Sequence, residues 1–197
     1  FNGTSSYLYA PNLNISNGFS RDKFTLNYGA RIDIPIGLSP VFQPRLTAGY
    51  QISEVVKVTL GAGRYYQPLQ HAPRVDADGA YQLAWSVADN DSIPSLDSKQ
   101  LVGGISFQSA GFLLSVEGFV KETRGVVALS KISQQVISYS TTSKAVGSDL
   151  FLKYNFSRFS LFGSASICEQ TIATEQMQQE YKGGFLVNLH PFYLSMN

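Results

Sequence analysis

The side chains best equipped for proton transfer or nucleophilic attack are few: His71, His190 and Cys168. A Ser-His-Asp arrangement is formally available, but no nucleophile-elbow motif accompanies either histidine. His190 precedes Pro191 in a short link between two alternating segments, where a turn residue is the simpler account. Cys168 closes an alternating apolar segment, which suits a small packing residue better than an activated thiol. Asp76-Ala77-Asp78-Gly79 and Asp89-Asn90-Asp91 resemble pieces of a calcium loop. Neither completes the ligand spacing, and no Glu follows the first at the right distance. Gly61-Ala62-Gly63 lacks the third glycine and the helix of a dinucleotide site; it reads as strand glycines that leave room for aromatic rings. Asn2-Gly3-Thr4, Asn14-Ile15-Ser16 and Asn155-Phe156-Ser157 are sequons of the kind polar β sequences produce by chance. The expectation is a protein with no catalytic residue, no metal site and no cofactor, and not an enzyme.

The remaining polar side chains are organised by their spacing. In Phe24–Asp33 the even positions read Phe, Leu, Tyr, Ala, Ile and the odd ones Thr, Asn, Gly, Arg, Asp. Strict alternation over ten residues is a strand with one apolar and one polar face. The pattern recurs, giving about ten segments near 5–15, 22–33, 43–51, 55–65, 99–108, 111–121, 146–156, 159–168, 180–189 and 192–197. Many run about nine to eleven residues, the length of a tilted strand that crosses a bilayer. The links alternate in length: Ser53-Glu54, Ser109-Ala110, Ser157-Arg158 and His190-Pro191 are tight. Those at 66–98, 122–145 and 169–179 are long, and that at 34–42 is of medium length. Short turns at one end and long loops at the other are the plan of an outer-membrane barrel.

Composition narrows the class. Charged residues make up 15%, aromatics 13%, and the net charge is +1. Disorder, a helical membrane protein and a nucleic-acid binder are disfavoured, and one cysteine excludes a disulfide scaffold. Phe1-Asn2-Gly3-Thr4-Ser5 carries no secretory leader, so the chain reads as a processed or excised piece. The fold expected is all-β: an antiparallel transmembrane β-barrel segment with short periplasmic turns and long extracellular loops, in the cell outer membrane. A soluble sheet, or a complete small barrel with a structural or adhesive role, is the alternative. In the barrel reading Arg31, Arg45, Lys57, Glu117, Lys121, Asp149 and Lys153 face the lumen, where they meet a plug or water. Arg64 falls by parity on the lipid side, at its strand's outer end. Aromatics near strand ends, among them Tyr65 and Tyr66, Phe156 and Phe159, Phe192 and Tyr193, suit interfacial girdles. Ligand contact is expected from the 66–98 loop, through Tyr66, Arg74, Tyr81 and above all Trp85.

Several stretches resemble TonB-dependent outer-membrane receptors of the Bacteroidetes type. They are Phe24–Asp33 followed by Gln43–Tyr50; Gly61–Pro68 (GAGRYYQP); Leu113–Gly125 (LLSVEGFVKETRG); and Gly147–Lys153 (GSDLFLK). Their colinear order covers roughly residues 20–190. The resemblance implies partners: outer-membrane lipid, a plug domain and the TonB system through a part absent from this chain, and a small-molecule or oligomeric nutrient. The nutrient would be a metal chelate, vitamin, peptide or glycan, and nucleic acid is not expected. Neither a plug, a TonB-contact motif nor a closing C-terminal strand is present, so residues 1–197 read as one partial barrel domain from the middle-to-late portion.

Overall fold

The computed structural model describes the backbone of residues 10–75, 81–89, 93–132, 135–156, 159–172, 175–189 and 192–196, and no side chains within 73–83, 128–139, 156–160 or 173–197. Its main body is one antiparallel sheet of ten strands, each beside its neighbour in the chain except where a hairpin intervenes. The first four are β1 (Asn12–Arg21), β2 (Phe24–Asp33), β3 (Val41–Gln51) and β4 (Val56–Gln67). A separate hairpin follows, β5 (Leu69–Val75) and β6 (Tyr81–Val87). The sheet resumes with β7 (Leu96–Ser109), β8 (Phe112–Ile132), β9 (Gln135–Phe156), β10 (Phe159–Ile172), β11 (Glu175–Leu189) and β12 (Phe192–Met196). β1 and β12 each pair with one neighbour among the described residues, so the sheet is open. The all-β, antiparallel, ten-strand expectation holds.

Four placements differ from expectation, one of them the 66–98 link, where the hairpin β5–β6 stands in place of a structureless loop. The first strand runs over 12–21, not 5–15, and residues 1–9 lie outside the described set. The link expected at 122–145 is mostly strand, because β8 and β9 form one long ladder from Phe112↔Tyr154 to Ile132↔Gln135. The link at 169–179 is likewise taken up by β10 and β11. Among the described residues, tight turns join strands at Asp22-Lys23, residues 52–55 and Ala110-Gly111. Ala110 (φ 26°) and Gly111 (φ 87°) both adopt positive φ, the turn whose twist matches a two-residue hairpin. The turns expected at Ser157-Arg158 and His190-Pro191 lie outside the described residues.

The register sorts side chains onto two faces. Tyr28, Leu46, Leu60, Leu101, Ile105, Val116, Val120, Val146, Leu150 and Ile167 share one face and are all exposed. Among the described residues the only buried hydrophobics are Ala72 and Ala88. The accessible surface is 14188 Å². A folded soluble chain of this mass exposes about 9,200 Å². Among the described residues there is no larger apolar core; the apolar residues form an exposed skin on one face.

That skin has limits. At the tight-turn end Phe107, Phe112 and Tyr154 form an edge-to-face series, with centroids 5.9 Å and 6.5 Å apart. At the other end a register row on the same face reads Arg64, Lys99, Glu122, Lys144. Phe112 to Glu122 along β8 is ten residue steps. At about 3.3 Å per step and a tilt near 40°, that makes a band about 25 Å tall.

Candidate functional site

On the opposite, polar face lie Arg31, Arg45, Lys57, Glu117, Lys121, Asp149 and Lys153, all placed there by register. Glu117 and Asp149 are direct cross-strand partners, and Ser166 donates its hydroxyl to Asp149. The most elaborate part of this face is where β3 and β4 separate. Their ladder ends at Arg45↔Gly63, while β4 continues beside β7 to Gln67↔Leu96. The backbone N–H of Tyr66 therefore has no strand partner on the β3 side, and Gln43 Oε1 accepts it at 3.0 Å. Gln43 is 2% exposed, and its Nε2 donates to Asp33 Oδ2 at 2.6 Å. Asp33 Oδ1 accepts from Arg31 Nε at 2.6 Å. One buried chain of bonds thus ties the ends of β2, β3 and β4, and it satisfies both carboxylate oxygens.

Beside it Tyr65 lies under Arg45, whose guanidinium carbon is 4.8 Å from the ring centroid. The ring lies back over Gly63, where an added Cβ would stand 2.9 Å from it. The expected use of these glycines, room for an aromatic, is what the geometry shows at Gly63. Tyr65 itself turns to the polar face, not to an interfacial girdle. Its odd parity, shared with Lys57 on the same strand, was the signal. Gln43 and Asp33 were missed, because a buried amide linking strand ends leaves no periodic mark.

Arg31, Arg45, Tyr65, Gln100, Lys121 and Thr123 line a recess of about 410 Å³ here. The bond to Asp33 occupies the Nε of Arg31, and with Arg31, Arg45 and Lys121 in its lining and no carboxylate among the lining residues the recess favours an anion. Arg45 continues into a smaller recess of about 270 Å³ with Thr59 and Glu117.

Of the expected ligand residues, Tyr66 also lines this recess and Trp85 does not. Tyr66 is the next-to-last residue of β4 rather than part of a loop, and its hydroxyl shares a 2.7 Å bond with Ser95 Oγ. Trp85 projects from β6, 62% exposed, edge-on to His71 at 4.0 Å between centroids. Arg74 and Tyr81 belong to β5 and β6, and their side chains lie outside the described residues. So do Asp76–Gly79, Asn90, Asp91, His190 and the side chains of Phe156, Phe159, Phe192 and Tyr193.

Among the described residues, Gln70 ties the hairpin to the sheet. Gln70 Nε2 donates to Pro94 O at 2.6 Å and to Gly125 O at 3.0 Å. On the apolar face, Arg64 grips Asp97 through two bonds of 2.8 Å each. Asp97 lies above the apolar band, and the Arg64 guanidinium holds its carboxyl below the usual value against the opposing effect of burial.

No family model and no curated protein sequence matches the chain. Among solved structures it is similar to the siderophore receptor PirA from Pseudomonas aeruginosa, with a TM-score of 0.68 at 14% identity. The match covers 95% of this chain and 39% of the receptor, so the chain spans about two fifths of that protein's length. The shared feature is the fold: an antiparallel stretch of β-barrel wall.

Proposed function

We propose that this chain is barrel wall from an outer-membrane TonB-dependent receptor that imports a scarce nutrient, with energy delivered through a plug and a TonB contact outside these residues. The observation that carries the reading is the exposed apolar band, about 25 Å tall, backed by a charged polar face. An apolar surface of that size marks a contact with a membrane or a partner, and its height is that of a bilayer-spanning band. The similarity to a siderophore receptor barrel supports the same reading. The role is binding and passage rather than catalysis.

The recess around Arg31, Arg45, Lys121 and Tyr65 is the proposed ligand contact on this wall. Its cations and its ring suit a negatively charged metal chelate better than a neutral glycan. The test is uptake of radiolabelled ferric chelates by cells that express the full natural chain, with anionic and neutral chelates compared. Uptake of an anionic chelate should be saturable and TonB-dependent, and Arg45→Ala should raise its half-saturation concentration several-fold. Uptake that ignores TonB, or a protein that fractionates away from the outer membrane, refutes the reading.

A further inference from the structure

The apolar face is not uniform. On β1–β4 it sinks into a shallow groove of about 850 Å³. Ala30, Pro44 and Ala62 supply small floor residues there, beside the larger Tyr28 and Leu46, which are direct register partners. All five lie on the face that the band occupies. The groove leads to Arg64 and Lys99, direct register partners at the band's charged limit. These two side chains differ in commitment. Arg64 is held bidentate by Asp97. Lys99 is exposed and makes no ion pair within 4 Å among the described residues. Its register partner Glu122 is bonded to Arg124 at 3.0 Å, with Lys144 at 4.0 Å.

We infer that this groove is a lipid site: an acyl chain lies over Ala30, Pro44 and Ala62 while a headgroup phosphate meets Lys99 and the N–H groups of Arg64 that Asp97 and the Phe42 carbonyl leave unused. The two ends of the site match the two ends of such a molecule. Leu46 and Ala62 carry the trough one register row inside the band, and Lys99 stands in the row where the band stops. A cation on a lipid-facing strand is costly inside the hydrocarbon and favourable at the headgroup level, where a phosphate can accept its protons. The site rests on the membrane reading above and adds a resident ligand to it.

The test uses the full natural chain, purified in detergent and stripped of lipid. Native mass spectrometry then follows its retention of phosphatidic acid and of diacylglycerol with the same acyl chains. Phosphatidic acid should be retained about tenfold more strongly, as one charge-assisted contact provides. Lys99→Ala should remove that preference and leave diacylglycerol retention unchanged. Ala62→Phe, which fills the trough, should weaken both lipids. Equal retention of the two lipids, or an unaltered preference in Lys99→Ala, overturns the site. A chain that is folded and monomeric in plain buffer overturns the membrane reading instead, so the two failures are distinct.

Discussion

Gln43 shows how much can depend on one amide. It bonds a carboxylate with its nitrogen and a main-chain N–H with its oxygen, and it is almost wholly buried. Gln43→Leu keeps the volume and removes both bonds, leaving Asp33 Oδ2 and the Tyr66 N–H unpaired. Each orphaned buried group costs about 1–3 kcal/mol, so a loss of about 2–4 kcal/mol is expected in urea unfolding from lipid vesicles. Gln43→Ala should cost less, because it opens room for water to reach both groups. The order Leu worse than Ala is the signature of lost polar pairing. The reverse order would mean that the side chain acts by packing alone. Arg45 and Tyr65 sit beside this network and depend on it for position, so the Leu variant should also weaken ligand uptake.

At the scale of elements, the apolar alternation marked the strands only where one face is apolar and the other wet. It located β2, β3 and β4 closely, because Phe24–Asp33 and its neighbours lie inside the band. It lost β8 and β9 above Glu122 and Lys144, where both faces carry polar residues and the period-two contrast disappears. Strand propensity persists there in Val126, Val127, Thr141 and Thr142, but it is a weaker mark than alternation. The polar-face residues were legible one by one, since parity alone places them. Their gathering into a recess was not, because it depends on β3 and β4 parting after Gly63. The hairpin β5–β6 hid in a stretch that reads as loop for the same reason. Its anchor is Gly125, the extra residue of a bulge between Arg124 and Val126, with φ +82°. A Cβ at Gly125 would stand within 2.2 Å of Ser95 O. Gly125→Ala combines backbone strain with that collision, at about 2–3 kcal/mol. The strain falls on the segment that Gln70 ties down. Hydrogen exchange should therefore rise across 69–95 and stay unchanged at the tight turns. A uniform rise along the sheet would contradict a local anchor.

Over the whole molecule, the inside-out distribution of apolar residues makes a demand that adjacent residues can test. Val116 and Ser115 are neighbours in β8 on opposite faces. Val116 lies near mid-band, between Phe112 and Glu122, and is exposed although apolar. Ser115 is on the polar face. An arginine at the lipid midplane of a barrel costs about 2–4 kcal/mol, falling to about 0–1 near the interfaces. Val116→Arg should therefore destabilise folding into vesicles by about that larger amount. Val120→Arg, close to the Glu122 row, should cost less, and Ser115→Arg least of all. In a soluble sheet both faces meet water or a packed layer, and no dependence on height along the strand would be expected. Equal effects of Val116→Arg and Val120→Arg would thus reject lipid as the medium around this face. A gradient with depth on one face, and none on the other, follows only if the skin of exposed apolar residues lies in a bilayer.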